Sequence, residues 1–346
     1  MRPLTFGSVV LRCSLLLLIL FVVTVIALKL GAVQVSLYGL GRDLIHVLLG
    51  QSQAISTEYG MVVIDIRLPR ILLGIVVGAS LSVAGASFQA LLRNPLADPY
   101  VLGVSSGAAV GAIVALIVES HLALSPELAG LITPFGAFIG AAATIAAVFL
   151  LGRRDGQIDS STLLLGGIIT ASFLSAIIMF LMTTVAGGNL RGASYWLMGD
   201  LSTPQPKSLL YLLGIGFVLA SGAIYTTAAD LNLLLAGEKE AMHLGVDVPR
   251  VRIVVYIAAS VLTGIAVSVS GTIGYVGLLV PHMMRLIFGS DHRMLLPASA
   301  LGGAIALLIA DTLARTVVAP SDLPVGAVTA LAGAPLFLYL LRRRFA

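Results

Sequence analysis

Ten apolar runs recur along this chain, and each is close to the length that crosses a bilayer. They cover about 12–32, 67–92, 99–119, 128–151, 161–186, 208–229, 251–270, 274–289, 296–316 and 325–341. A membrane-spanning helix needs about 20 mostly apolar residues. Lipid offers the backbone no donor or acceptor, so each run must satisfy its own peptide groups as a helix. The fold class that follows is all-α: a polytopic membrane protein of about ten transmembrane helices, one domain over 1–346. The run 274–289 is the shortest and is interrupted by Pro281 and His282, so a bent or partly spanning helix is expected there. The first run follows Arg2 and Arg12 and resembles a signal peptide, but its length and the lack of a small-x-small cleavage site favour a span.

Charge supports this reading. Of the 346 residues 58% are hydrophobic and 10% charged, against about 25% charged in soluble domains. That is too few to cover a water-facing surface. The net charge of +4 comes without a basic run interleaved with aromatics, so no nucleic-acid partner is expected. Its meaning is topological. With both termini inside, the cytoplasmic side holds thirteen basic residues, Arg342-Arg343-Arg344 among them. The outer side holds seven: Lys29, Arg42, Arg67, Arg70, Arg191, Lys207 and Arg315. The single cysteine, Cys13, excludes an intrachain disulfide and a cysteine metal cluster.

Small residues recur at four-residue spacing in Gly74/Gly78, Gly103/Gly107/Gly111 and Gly136/Gly140, which predicts close helix packing. Such patterns are common in any membrane protein. Residues 78–112 and 264–305 share an order of small-residue helix, glycine turn, basic turn, proline and second small-residue helix. An odd number of spans separates them, so the pair reads as an inverted internal repeat.

The longest polar segment joins the sixth and seventh runs, from Asp230 to Arg250. Apolar and charged residues alternate there at helical spacing (Leu233, Leu234, Ala241, Leu244), punctuated by Gly237, Gly245 and Pro249. The pattern predicts two short amphipathic helices at the membrane surface. An ordinary interfacial loop is the plain alternative.

This segment resembles the coupling helices of FecCD-type ABC importer permeases, which carry iron-siderophores, haem or cobalamin. Further motifs fit the same family from about residue 65 to the end. They include Arg67-Leu68-Pro69-Arg70, the stretch Gln89 to Pro99 (QALLRNPLADP), Leu102-Gly103-Val104 and Tyr195-Trp196-Leu197-Met198-Gly199. Gly277 to His282, Asp291-His292-Arg293, Ala310-Asp311 with Arg315, and Leu323-Pro324-Val325-Gly326 complete the set.

The resemblance implies a bacterial inner-membrane permease that pairs with a second copy of itself, two cytoplasmic ATPase subunits and a periplasmic substrate-binding protein. It implies alternating access without covalent chemistry, and neither a catalytic residue, a metal site nor a cofactor is expected in this chain. The sequence has no GxxxxGK[ST] loop to cradle ATP phosphates. By resemblance, Glu238, Glu240, Leu244 and Gly245 contact the ATPase, and Arg67, Arg70 and Arg315 pair with acidic residues of the binding protein. For Arg315 an i,i+4 pair with Asp311 is an equal reading. The gate is expected around Asn94, Leu96 and Ser160, although Asp159 departs from the family's small neutral residue, and Ser160 also suits a helix N-cap. Gln89, an amide within a span, reads as a pathway or packing residue.

His46, His121, Met179, Met182 and Met198 raise the question of haem ligation, but none has a partner at ligand spacing. An ion-coupled secondary transporter is the alternative function. It would need intramembrane carboxylates, and Asp311 is the only one, close to an arginine. A purely structural scaffold is the second alternative.

Overall fold

The computed structural model describes residues 5–31, 62–122, 125–154, 157–158, 160–185 and 187–345. Arg2, Arg42, His46 and Asp159 lie outside the described residues. The described chain forms thirteen α-helices: α1 (Phe6–Lys29), α2 (Leu68–Leu91), α3 (Val104–Glu119), α4 (Pro126–Gly152), α5 (Ser160–Thr184), α6 (Gly187–Met198), α7 (Lys207–Thr226), α8 (Ala228–Leu234), α9 (Glu238–His243), α10 (Val248–Ser270), α11 (Val276–Phe288), α12 (His292–Ala314) and α13 (Val325–Phe345). A two-residue antiparallel pairing, Arg153–Arg154 with Gln157–Ile158, closes the turn between α4 and α5.

Each of the ten expected runs falls on one helix, with α6, α8 and α9 as additions between them. Seven helices are long and apolar enough to cross a membrane, and three apolar helices are shorter: α3, α11 and the Val325–Leu340 part of α13. The shortening has a local cause. The run expected over 99–119 is split by a 3₁₀ turn at Pro99–Leu102 and by Gly103, whose φ of 75° ends that turn before α3 begins. From this turn the Tyr100 hydroxyl accepts from the Ile273 N–H (3.1 Å), satisfying a backbone group between α10 and α11. Pro281 lies within α11 without ending it.

The helices are graded by burial. In the most apolar stretch of each, 83% is buried for α2 and 78% for α10, against 11% for α5 and 6% for α1. The central unit is therefore α2 packed on α10, α11 and α12. Leu165, Ile169, Phe173 and Phe180 on α5 face outward. Such exposure is costly in water and costs nothing in lipid. Several buried hydroxyls bond within their own helices, as Ser87 Oγ does to Val83 O (2.7 Å) and Thr312 Oγ1 to Leu308 O (2.7 Å).

Glycine sets how closely the helices approach. A Cβ on Gly78 would collide with the Gly303 carbonyl, and one on Gly85 with that of Gly277. Gly107 and Gly111 of α3 meet Gly140 and Gly136 of α4 in the same way. Gly74 differs, because its nearest neighbour is a Leu201 methyl at 3.7 Å and a side chain would fit. The two segments read as a repeat pack on each other through Gly78 with Gly303 and Gly85 with Gly277.

Candidate coupling surface and arginine cluster

At one end of the bundle α8 and α9 lie across the ends of α2, α10 and α12. The apolar side chains Leu231, Leu234 and Ala241 are buried and hold the pair down. Gly237, with φ 143°, separates the two helices, and Gly245, with φ 88°, turns the chain after α9. Asp247 accepts from the Arg250 N–H (3.2 Å) and caps α10 behind them. The outcome is two short helices with a buried apolar face of Leu231, Leu234 and Ala241, while Leu244, set among the apolar positions by the alternation, is exposed.

The four residues expected to meet an ATPase divide here. Glu240, Leu244 and Gly245 are exposed, beside Met242. Glu238 instead turns toward the bundle, where it pairs with Arg93 (3.2 Å) and with Arg252 of α10. Its carboxylate ties α9 to the residues just after α2 and to α10. Its side chain stays 36% exposed, and with two cations within reach the carboxylate is held by both.

Gln89 is buried at 3% exposure near the same end of α2. Its Nε2 donates to Leu278 O (3.2 Å), and its Oε1 accepts from Arg285 (3.1 Å), both on α11. The amide thus joins α2 to α11, the packing half of the expectation. Asn94 and Leu96 belong to one turn, in which Asn94 Oδ1 accepts from the Leu96 N–H (2.9 Å) and Leu96 stays exposed. Ser160 is the first residue of α5.

Sequence reading passed over Asn232 of α8. Its Nδ2 donates to Asp291 (2.8 Å), and its Oδ1 accepts from the His292 N–H (2.8 Å) and faces His292 Nδ1 (2.8 Å). Asp291 caps α12, and the Arg293 guanidinium beside it holds its carboxyl at about 2, below the usual 3.8. A lone amide within the leucine run 231–235 was the available signal, since a polar side chain on a packed face needs a partner.

At the opposite end the three arginines expected to form a docking row are turned inward. Arg67 is 5% exposed and donates to Leu28 O (2.6 Å) and Lys29 O (3.2 Å). Arg315 is 7% exposed and donates to Ala27 O and Leu30 O. Together they satisfy carbonyls at the C-terminus of α1, where the helix has no partners of its own and cations are favoured. Arg70 bridges Asp311 of α12 (2.8 Å) and Asp322 (2.6 Å), and Arg315 also approaches Asp311 (3.5 Å), the i,i+4 pairing. All three arginines are thus bonded by carbonyls or carboxylates within the fold. Beside this cluster a cavity of about 720 Å³ opens, lined in part by Glu119, Arg191, Trp196, Asp200 and Asp322.

His121 is exposed, with Nδ1 against Ile117 O (2.8 Å), a surface residue at a helix end. Among the described residues no group of three His, Cys, Asp or Glu side chains could hold a metal ion.

The sequence matches the FecCD transport family over residues 17–343. The chain belongs to that family. Among curated relatives of this FecCD chain, an ABC transporter permease of Bacillus subtilis is 47% identical over 287 residues, covering 83% of this chain and 80% of its own length. The cobalamin import permease of Halobacterium salinarum is 45% identical, covering 82% and 74%. The hemin transport permease of Yersinia pestis is also 45% identical, covering 81% and 83%. A solved structure described as an inward-facing conformation of a metal-chelate type ABC transporter superposes with TM-score 0.81 at 31% identity, covering 96% of this chain and 99% of that one. This FecCD protein is thus a multi-pass membrane permease.

Proposed function

We propose that this permease is the membrane subunit of an ATP-driven importer that moves an iron chelate, haem or cobalamin into the cytoplasm. Two copies form the pathway by alternating access, and two separate ATPase chains grip the α8–α9 surfaces. A periplasmic binding protein delivers cargo at the end that carries the arginine cluster. The protein sits in the bacterial inner membrane as a single permease domain with both termini cytoplasmic, consistent with ten apolar helices and thirteen of twenty basic residues on that side. The cargo classes follow the relatives, whose names include cobalamin, hemin and iron-citrate import.

One observation carries this reading: α8–α9 is anchored to α2, α10 and α12 on its inner side while Glu240, Met242, Leu244 and Gly245 face away from the bundle. Such a segment can be pushed from outside and pass the displacement inward. Around the gate we assign Asn94 and Leu96 as the turn that moves, together with Ser160 at the start of α5. Docking at the outer end would work through Arg70, whose partner Asp322 is one-third exposed and open to replacement by a carboxylate of the binding protein. Gradient-driven transport is less favoured, since the intramembrane carboxylate Asp311 is bonded to two arginines.

The test is reconstitution in vesicles with the cognate ATPase and binding protein, ATP on the α8–α9 side, no ion gradient, and hemin or cobalamin in separate arms. ATP-dependent uptake that needs the ATPase chain is expected. Uptake driven by a proton or sodium gradient without that chain would overturn the proposal.

A further inference from the structure

The coupling surface meets the bundle at two kinds of joint, and their physics differs. Glu238 with Arg93 and Arg252 is an ion-pair joint in which Glu238 is 36% and Arg93 41% exposed, so water and salt weaken it. Asn232 is a hydrogen-bond joint. It closes on the α12 N-terminus through three contacts of 2.8 Å, two of them to one residue.

Those contacts fix the amide's sense. Oδ1 faces the His292 N–H and Nδ1, so Nδ1 carries a proton toward it, while Nδ2 faces an ionised carboxylate. The first N–H groups of a helix have no partner within it. Arg293 N–H is capped locally by Asp291, but His292 N–H is capped by a side chain 60 residues away. Asn232 therefore serves as a helix cap supplied by a different helix. A displacement of α8 cannot leave α12 behind without exposing that N–H and the Asp291 carboxylate together.

We infer that Asn232 is the positioning residue that locks the coupling surface to α12, so that α8 and the first turn of α12 move as one body when the ATPase closes. The inference rests on the proposed coupling role of α8–α9. It gives α12 a direct input separate from the route through Glu238 to α2 and α10. Through α12 the motion reaches the arginine cluster, since Asp311 lies on the same helix.

Hydrogen–deuterium exchange of the complex with its cognate ATPase, with and without ATP and vanadate, tests this without a cargo. In the parent, nucleotide is expected to change exchange by about threefold both in 230–245 and in 292–298. In Asn232→Leu the change should stay in 230–245 and fall below about 1.5-fold in 292–298. Asn232→Asp places two carboxylates together and should lose the coupled change, whereas Asp291→Asn keeps an acceptor for the Asn232 amide and should retain part of it. The double variant N232D/D291N reverses the direction of the bond, keeps a cap for α12, and should restore the change to within about twofold of the parent.

Propagation into 292–298 that persists in Asn232→Leu would overturn the inference, as would a parent whose change never reaches 292–298. If Asn232→Leu does not assemble with the ATPase, the single and double charge variants decide. Failure of those to assemble as well would show a purely structural role and also refute it. A parent with no nucleotide effect in 230–245 would remove the coupling reading itself, a result distinct from loss of the α12 link alone.

Discussion

Asp311 offers the sharpest test of what holds the outer end together. It is 1% exposed and lies between Arg70, which is 12% exposed, and Arg315, which is 7% exposed. Asp311→Leu keeps the number and branching of side-chain heavy atoms and removes the anion that, among the described residues, pairs with both arginines. Breaking a buried ion pair by deleting one partner costs about 3–5 kcal/mol, because the other charge stays desolvated. Here Arg70 keeps Asp322, and Arg315 keeps the Ala27 and Leu30 carbonyls, so the lower figure applies. A loss of about 3 kcal/mol is roughly a hundredfold shift in the folding equilibrium.

Asp311→Asn retains an acceptor for the Arg70 Nε–H now bonded at 2.9 Å, so it should lose about half as much. The double variant Asp311→Leu, Arg315→Leu removes anion and cation together. It should recover part of the loss but not all, because the end of α1 is then left uncapped. The assay is unfolding of the purified chain in mixed micelles, followed by helix content against SDS fraction. Asp311→Leu within about 0.5 kcal/mol of the parent would refute the reasoning, as would a double variant less stable than the two single losses combined.

Gly85→Val should abolish the close approach of α2 to α11 and cost about 1–3 kcal/mol, whereas Gly74→Ala, facing only a methyl at 3.7 Å, should be tolerated; the same micelle unfolding compares them. Leu244→Glu and Glu240→Lys should cut co-purification of the ATPase by about tenfold while shifting stability by under about 0.5 kcal/mol, since both side chains are exposed; a pull-down and a melt run side by side check this. The Asp291 carboxyl sits at about 2 in the fold against 3.8 outside it, so its stabilising contribution is present above about pH 4 and fades as pH falls through 2. The stability difference between parent and Asp291→Asn should therefore stay flat from about pH 5 to 8 and shrink toward pH 2 in acid titration melts.

The number and placement of the long helices were legible because apolar run length is a one-dimensional quantity, read residue by residue against bilayer thickness. Where the reading slipped, the cause was three-dimensional. The run 99–119 is continuous in hydropathy, but the chain spends its first residues in a 3₁₀ turn that only packed protein can shelter. Gly74 and Gly78 look alike in sequence, and only Gly78 has a neighbouring backbone on its face. The site divided in the same way. The exposure of Glu240 and Leu244 was readable from the segment's resemblance to a coupling element, although the alternation sets Leu244 among the apolar positions. Glu238 was not, because its direction depends on Arg93 and Arg252, 145 and 14 residues away. The arginines looked like outward charges at helix ends until the carbonyls of α1 and the carboxylate of Asp311 came within reach of them.

These placements converge on α2. Arg70 stands in its first turn, Gln89 near its last, and Arg93 just beyond its end. At 24 residues it is a rod of about 36 Å, buried along most of its length and packed against glycines on α11 and α12 that leave no slack between backbones. A rod so confined can rotate or slide only together with its neighbours. The same holds for α12, which carries the Asn232 joint at one end and Asp311 at the other. Both central helices therefore run from the α8–α9 surface to the arginine cluster that bonds the carbonyls at the end of α1. A displacement imposed at the α8–α9 end would find no soft contacts in the middle to absorb it and would be taken up where the bonds are polar and exchangeable: at Asp322, which is one-third exposed, and at the carbonyls of α1.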